Sequence, residues 1–317
     1  MLNFSTIEQF DKIATPFYYY DMDLLRKTVD HVAELAERHD IKVHYAVKAN
    51  VERRLLEYIS SKGFGADCVS GNEVLHAHSC GFPADRIVYA GVGKTDKEIY
   101  DALTLGIEAF NCESLQEIYV INEMAHRYGI KANISVRINP DIDAHTHKYV
   151  TTGLYENKFG ISQHEFEKLI EIIQKSEYIE FFGLHFHVGS QITRVQEVYA
   201  LECKRVNEIV KYFERQGLTV KNINLGGGLG VDYNTKSIHK TVKIALAFHI
   251  RFGRNQISSP GLGFNTEHPD LDSVTAALFD RPFQFGDTLF TLGIDGEKVR
   301  YSHLFPDDRK PDTVDSF

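Results

Sequence analysis

The chain has 317 residues, of which 43% are hydrophobic and 25% charged, as in ordinary globular proteins. Its formal net charge of -9 argues against nucleic acid or an anionic membrane surface as the main partner. The N-terminal stretch lacks the basic-then-apolar pattern of a signal peptide, and no apolar run is long enough to span a bilayer. The four cysteines form no CxxC pair. These features predict a cytoplasmic protein, long enough for one large α/β barrel or two ordinary domains.

Strand-like and helix-like segments alternate along most of the chain. Amphipathic stretches such as Ser114–Tyr128 and Gln163–Gln174 have apolar residues at helical spacing. They alternate with seven strand-like runs, at Val43–Val47, Ala66–Val69, Arg86–Ala90, Ala109–Cys112, Asn133–Ile138, Phe181–His187 and Asn222–Leu225. Parallel strands need crossover helices, so this order predicts a parallel sheet. A doubly wound sheet would give the same alternation, but the number of units and the lack of an early dinucleotide-binding fingerprint favour a (β/α)8 TIM-type barrel.

The first strand ends on a lysine, in the stretch HYAVKAN from His44 to Asn50. In one interpretation, Lys48 is an ordinary strand-end residue whose ammonium group reaches into water. In the other, Lys48 points into a cleft, where desolvation lowers its pKa and makes the amine a nucleophile. The heptapeptide is compatible with both interpretations, so the other strand ends have to decide.

In a barrel, functional side chains gather at the carboxyl ends of the strands. The later strands end on or next to polar groups or glycines, among them Asp67, Arg137, His187, Ser190 and the cluster Gly226, Gly227 and Gly228. The glycine cluster is either a flexible turn or a loop whose backbone amides approach a phosphate closely. A lysine, a flat imidazole and a phosphate loop together indicate a ligand with an aldehyde, a ring and a phosphate. Pyridoxal phosphate meets all three requirements.

Several motifs carry a family resemblance, in the family's order: HYAVKAN, GADCVSGNE, VRINPDIDAHTHKYVTTG, NKFGI, GLHFHVGSQ and INLGGGLG. They resemble the barrel domain of the pyridoxal-phosphate-dependent decarboxylases with the alanine-racemase fold (fold type III). The resemblance covers about the first three-quarters of the chain. The loop from Asn139 to Ile161 is more similar to the members that act on diaminopimelate than to those that act on ornithine or arginine.

The resemblance implies a role for each matching residue. Lys48 would hold the cofactor through a Schiff base, Asp67 would lie beside that lysine, and Arg137 would lie near the cofactor's hydroxyl side. His187 would lie against the pyridine face, while Ser190 and the three glycines would bind the phosphate. The implied reaction removes the carboxylate at the D-configured carbon of meso-2,6-diaminopimelate and gives L-lysine and carbon dioxide. Members of the family are homodimers.

The resemblance ends after Asp232-Tyr233, which predicts a barrel domain at residues 1–233 and a divergent tail at 234–317. The family's eighth strand ends on an acid that keeps the pyridine nitrogen protonated. The best match is FHIRFGR, Phe248 to Arg254, with Arg251 in place of the acid. An arginine there would oppose that protonation. The family's second, β-rich domain supplies a cysteine as proton donor, but no cysteine follows Cys203. A poor decarboxylase is therefore expected.

The remainder of the tail matches no family motif. DTLFTLGIDGEKVRY predicts one β-hairpin with an Asp-Gly turn. Two functions remain open at this point. The first is a decarboxylase acting on diaminopimelate, favoured by the loop from Asn139 to Ile161. The second is a barrel that binds pyridoxal phosphate without catalysis, favoured by the missing proton donor and acid.

Overall fold

The computed structural model describes residues 9–10, 12–38, 40–140, 159–190, 192, 195–229 and 246–251. For residues 195–197 and 246–251 it describes the backbone alone. The domain boundary predicted at residue 233 falls outside these ranges and stays a prediction. The predicted Asp-Gly hairpin also lies outside the described residues.

Helices and strands alternate in these ranges as the sequence predicts. The helices are α1 (Met22–Arg38), α2 (Arg53–Ser61), α3 (Gly71–Ser79), α4 (Asp96–Leu105), α5 (Leu115–Tyr128), α6 (Phe166–Lys175) and α7 (Val195–Arg215). The strands are β1 (Ile41–Ala46), β2 (Gly65–Cys68), β3 (Ile87–Tyr89), β4 (Ala109–Cys112), β5 (Ala132–Arg137), β6 (Ile179–His185), β7 (Asn222–Asn224) and β8 (Leu246–Arg251). All seven predicted strands are present, and each end lies within two residues of its predicted position.

The eight strands form one closed barrel in chain order, and β1 to β7 run parallel to one another. The TIM-type barrel prediction is confirmed, and the doubly wound alternative is excluded because consecutive strands are neighbours around a closed sheet. Closure brings the carboxyl ends of seven strands to one mouth. The helices α2 to α6 follow β1 to β5 in the alternating order and return the chain to the other end.

Strand β8 occupies the eighth position with the opposite direction. It is antiparallel to both β1 and β7, pairing Ile250 with Ile41 and Arg251 with Asn222. Ile41 and Asn222 are the first residues of their strands, so Arg251 lies at the amino end of the barrel. The expectation that Arg251 stands in place of the acid beside the pyridine nitrogen is therefore wrong. The run FHIR does form a strand, but its polarity sends its last residue away from the mouth.

Four of the barrel's helical segments begin with a repeated S/T-x-x-E pattern. Its four instances are Ser70–Glu73, Thr95–Glu98, Ser114–Glu117 and Ser162–Glu165. Each hydroxyl caps the helix start by accepting an amide hydrogen bond two or three residues on, and each glutamate accepts one from the residue at or just before the cap. The pattern fixes the corner where a strand end turns into the next helix, which is also the rim of the mouth.

The main hydrophobic core lies between the strands and the surrounding helices. The buried residues also include polar ones on the strands themselves, such as Asn111 on β4 and Asn222 and Asn224 on β7. In the described part of the chain, no helix has the length and apolar character needed to cross a membrane.

Candidate active site

The predicted site residues all lie at the mouth of the barrel or just below it. Lys48 is in the 3-10 turn after β1, and Asp67 is the third residue of β2. Arg137 is the last residue of β5, and His187 lies two residues beyond β6. Ser190 follows in the β6–α7 loop, and the three glycines follow β7 with one leucine between. Residues far apart in the chain therefore share one end of the barrel.

Lys48 does not match either of the two interpretations fully. Its side chain is exposed to solvent, which does not fit the interpretation in which Lys48 is desolvated in a cleft. It is nevertheless not an isolated surface lysine, because its charge acts on Asp67, Glu73 and His187 at the mouth. The amine thus stands at the opening of a charged site and is accessible to a ligand entering from solvent.

Asp67 is a buried acid whose carboxyl is affected by the charge of Lys48. Burial raises the pKa of the Asp67 carboxyl above its ordinary value, while the charges of Lys48 and Arg137 oppose that rise. The buried oxygen Oδ1 of Asp67 makes no hydrogen bond to any described residue. A buried carboxylate oxygen in that condition is costly unless a cation or donor reaches it. The geometry suits a positive charge bound next to Lys48.

Arg137 is held by Glu113, a pairing that the sequence does not predict. Nη1 of Arg137 donates to both carboxylate oxygens of Glu113, at 2.8 and 3.1 Å, and the two side chains are only 14% and 5% exposed. The guanidinium carbon lies 5.4 Å from the centre of the Phe159 ring. Glu113 directly follows β4, so this pair links the ends of two adjacent strands. The only hint of this pair in the sequence is that an acidic residue, Glu113, directly follows β4.

His187 is partly buried and uncharged at neutral pH. Burial, together with the positive charges of Arg137 and Lys48, lowers its pKa to about 3. An imidazole of this kind presents a flat, neutral face at the mouth. It is a suitable surface for stacking an aromatic ring.

The glycine loop passes so close to the β6–α7 loop that side chains do not fit. Gly226 has a φ of +72°, and a Cβ placed on it would collide with the carbonyl oxygen of Phe186. Gly228 has a φ of +106°, and its Cβ would collide with the carbonyl oxygen of Gly189. The loop is therefore more than a flexible turn. Its conformation needs glycine at both positions, because the two loops pack closely against each other.

Hydrogen bonds also hold the glycine loop in position. The Asn224 side chain accepts a hydrogen bond from the Gly226 amide at 2.8 Å, and the Ile192 amide donates to the Gly228 carbonyl at 2.8 Å. The Tyr199 hydroxyl on α7 donates to the Gly227 carbonyl at 3.2 Å. With its carbonyls engaged in this way, the loop has its position set before any ligand arrives.

Comparison with known proteins identifies the class of domain. Residues 22–261 match the family model described as "Pyridoxal-dependent decarboxylase, pyridoxal binding domain". That match covers most of the chain, and the chain belongs to this family.

Among curated relatives, the chain is 49% identical over 228 residues to a diaminopimelate decarboxylase of Bacteroides thetaiotaomicron, covering 72% of this chain and 59% of that relative. It is 40% identical over 219 residues to a diaminopimelate decarboxylase of Aquifex aeolicus, covering 69% and 51%. The crystal structure of diaminopimelate decarboxylase from Helicobacter pylori complexed with L-lysine matches with a TM-score of 0.69 at 38% identity, covering 75% of this chain and 60% of that one. The chain thus spans little more than half the length of these relatives.

The cofactor of the family is pyridoxal phosphate, and the described residues fit it. The glycine loop presents backbone without side chains and is held in place by hydrogen bonds with Asn224, Ile192 and Tyr199, as a phosphate-binding loop requires. The buried Oδ1 of Asp67, which has no hydrogen-bond partner among the described residues, lies in the field of the Lys48 charge and would be satisfied by a cation. The neutral His187 ring adds a flat surface between the two.

Replacing Gly228 should damage the loop through a collision rather than through φ alone. We expect Gly228→Ala to lower the free energy of unfolding by more than ~2 kcal/mol, since strain and overlap add. Gly217 is the matched control, because its φ of +84° is also left-handed but nothing lies within 4 Å of its would-be Cβ. Gly217→Ala should cost about 1 kcal/mol. Urea unfolding measures both, and equal losses would contradict the close approach.

The pH dependence of His187 gives a second test. Between pH about 3 and 6.5 the folded ring stays neutral while the unfolded one gains a proton. Stability should therefore rise with pH through that window, and this contribution should be fully present above it. The NMR signals of the His187 ring, assigned with His187→Asn, should not shift between pH 5 and 8, and His187→Asn should flatten the pH dependence of unfolding. A ring that titrates near its ordinary pKa would refute the buried, neutral imidazole.

Proposed function

We propose that the chain takes part in the pyridoxal-phosphate-dependent decarboxylation of meso-2,6-diaminopimelate, which gives L-lysine and carbon dioxide. The observation that carries the proposal is the meeting of Lys48, Asp67, His187 and the glycine loop at one barrel mouth. Identities of 49% and 40% to diaminopimelate decarboxylases support the choice of substrate. The Helicobacter pylori structure complexed with L-lysine supports the same choice.

Each residue has a separate task in the proposed site. Lys48 would bind the cofactor's aldehyde carbon covalently through its amine, with the aldehyde oxygen leaving as water, and its exposure makes the amine accessible for attack on that carbon. Asp67 would hold the positive charge at that nitrogen with its unpaired oxygen. When bound, pyridoxal phosphate supplies a ring that takes up the electron pair left by departing carbon dioxide.

The remaining residues would fix the cofactor's position. His187 would lie against one face of the ring as a neutral surface, so that it neither repels nor neutralises the ring's charge. Ser190 and the loop of Gly226, Gly227 and Gly228 would hold the phosphate, while the Gly226 amide donates to Asn224 and so keeps the loop in position. Arg137, oriented by Glu113, would lie on the side of the cofactor's hydroxyl. These contacts orient the reacting carbon and keep the charges of the site in place.

The proposal includes a second copy of the chain and a cytoplasmic location. Three apolar side chains follow the carboxyl ends of β1, β2 and β3 and stay exposed at the rim: Val51 at 53%, Val69 at 37% and Val92 at 66%. Apolar residues around a charged opening are suited to a protein cover, which a partner subunit would provide.

All four cysteines are free thiols, which suits a reducing compartment.

The decisive test combines covalent labelling with turnover. The purified chain should develop a visible absorption band with pyridoxal phosphate, and borohydride should attach the cofactor to Lys48. Lys48→Ala should lose the label, whereas Lys42→Ala should keep it, because Lys42 is paired with Glu108 at 2.6 Å at the other end of the barrel. Attachment of the cofactor to a different lysine would show that the assignment of the site is wrong.

Turnover separates the two functions left open by the sequence. Carbon dioxide release should be faster from meso-diaminopimelate than from ornithine or arginine. Release that favours ornithine or arginine would overturn the choice of substrate. A label on Lys48 without release from any of the three would support the binding barrel instead.

A further inference from the structure

Lys94 is a lysine buried at the rim of the mouth. It lies in the loop between β3 and α4, and its side chain is 2% exposed. Its ammonium group donates to the Gly91 carbonyl at 2.6 Å, the Asn111 carbonyl at 3.1 Å and Oε1 of Glu117 at 2.5 Å. These three acceptors match its three donors. The ammonium nitrogen also lies 5.1 Å from the centre of the Tyr89 ring.

Stability alone is a weak reason for such an ammonium group. Taking a charge pair out of water costs several kcal/mol per ion, and apolar side chains of similar size are often at least as stable. What the ion pair adds is direction, because three hydrogen bonds fix Lys94 against the β3 loop, strand β4 and helix α5 at once. The atoms it holds are those that build the rim.

Glu117 passes this restraint to the active site. While Oε1 binds Lys94, Oε2 accepts the backbone amide of Glu113 at 2.8 Å. Glu117 is only 12% exposed, and burial raises its pKa while Lys94 opposes the rise. Losing Lys94 would therefore leave a buried acid without its cation. Its grip on the Glu113 backbone would weaken at the same time.

Glu113 is the residue whose carboxylate holds Arg137, through Nη1 at 2.8 and 3.1 Å. A continuous chain of short contacts thus runs from Lys94 through Glu117 and Glu113 to Arg137. We propose that Lys94 and Glu117 are positioning residues that set the orientation of Arg137 at the cofactor site. The inference rests on the proposed function only in placing Arg137 next to the cofactor.

Three variants separate positioning from simple stabilisation. Lys94→Met removes the ammonium group and strands Glu117, so it should lower both stability and cofactor affinity. The double variant Lys94→Met/Glu117→Met removes both charges, which should return most of the stability. It still leaves the Glu113 amide without its acceptor. Lys42→Met is the matched control, since Lys42 is paired with the buried Glu108 at the other end of the barrel.

Two measurements on the full chain are needed beside urea unfolding. Absorption titration with pyridoxal phosphate gives the dissociation constant, which should rise about tenfold or more in both Lys94 variants, the scale of one lost charge-assisted hydrogen bond. The NMR signal of the Arg137 side-chain Nε–H, assigned with Arg137→Lys in the ligand-free chain, should shift or broaden in both. Lys42→Met should change neither readout.

Stability, cofactor affinity and the Arg137 signal of the variants together distinguish positioning from simple stabilisation. The proposal would be overturned if cofactor affinity and the Arg137 signal both returned to wild-type values in the double variant when stability returned. It would also be overturned if Lys42→Met changed cofactor affinity and the Arg137 signal as much as Lys94→Met does. Weak affinity and an altered Arg137 signal that persist at restored stability support it. If the wild-type chain fails to load the cofactor while the Arg137 signal still responds, the proposed function fails and the positioning role stands.

Discussion

The site depends on one constraint: neighbouring parallel strands in a closed barrel must all end at the same mouth. Hydrogen bonding along β1 to β7 in sequence order delivers Lys48, Asp67, Glu113, Arg137, His187 and the glycine loop to that mouth. These residues span about 180 positions of the chain, and no local contact would gather them. The S/T-x-x-E corners then fix each strand end before its helix begins.

The second organising feature is the pairing of charge at low exposure. Arg137 is matched by Glu113 and Lys94 by Glu117, with each of these four side chains at most 14% exposed. Asp67 has one buried oxygen that no residue in the described ranges hydrogen-bonds, and it lies in the field of Lys48 and Arg137. Charges held this way interact strongly, because little water screens them. The mouth therefore keeps one carboxylate oxygen open for a ligand while its other buried charges are engaged.

The fold could be predicted from the sequence because apolar residues recur at different spacings in strands and in helices, and because the two kinds of segment alternate regularly along the chain. Both ends of the strand Ala109–Cys112 were predicted correctly. The observed strand order excludes the doubly wound alternative. The direction of β8 was not accessible, since an apolar run reads the same in both directions along a sheet. The mistaken placement of Arg251 at the pyridine nitrogen follows from that gap.

At the site, residue types at strand ends could be predicted, but their partners could not. The exposure of Lys48 depends on how the turn after β1 leaves the barrel, which composition does not encode. The Glu113–Arg137 pair joins residues 24 positions apart, and the Lys94–Glu117 pair joins residues 23 positions apart. Such pairs exist only once neighbouring strands are in register. The collisions that reserve Gly226 and Gly228 for glycine likewise come from a second loop, at Phe186 and Gly189.

The central claim is that one barrel mouth binds the cofactor through residues drawn from all around the sheet. A crystal structure of the chain after loading with pyridoxal phosphate and reduction with borohydride tests this most directly. The account predicts continuous density from the Lys48 amine to the cofactor, with the ring against His187 and the phosphate at Ser190 and the glycine loop. Density for the cofactor on a different lysine, or at the amino end of the barrel near Lys42 and His44, would contradict it.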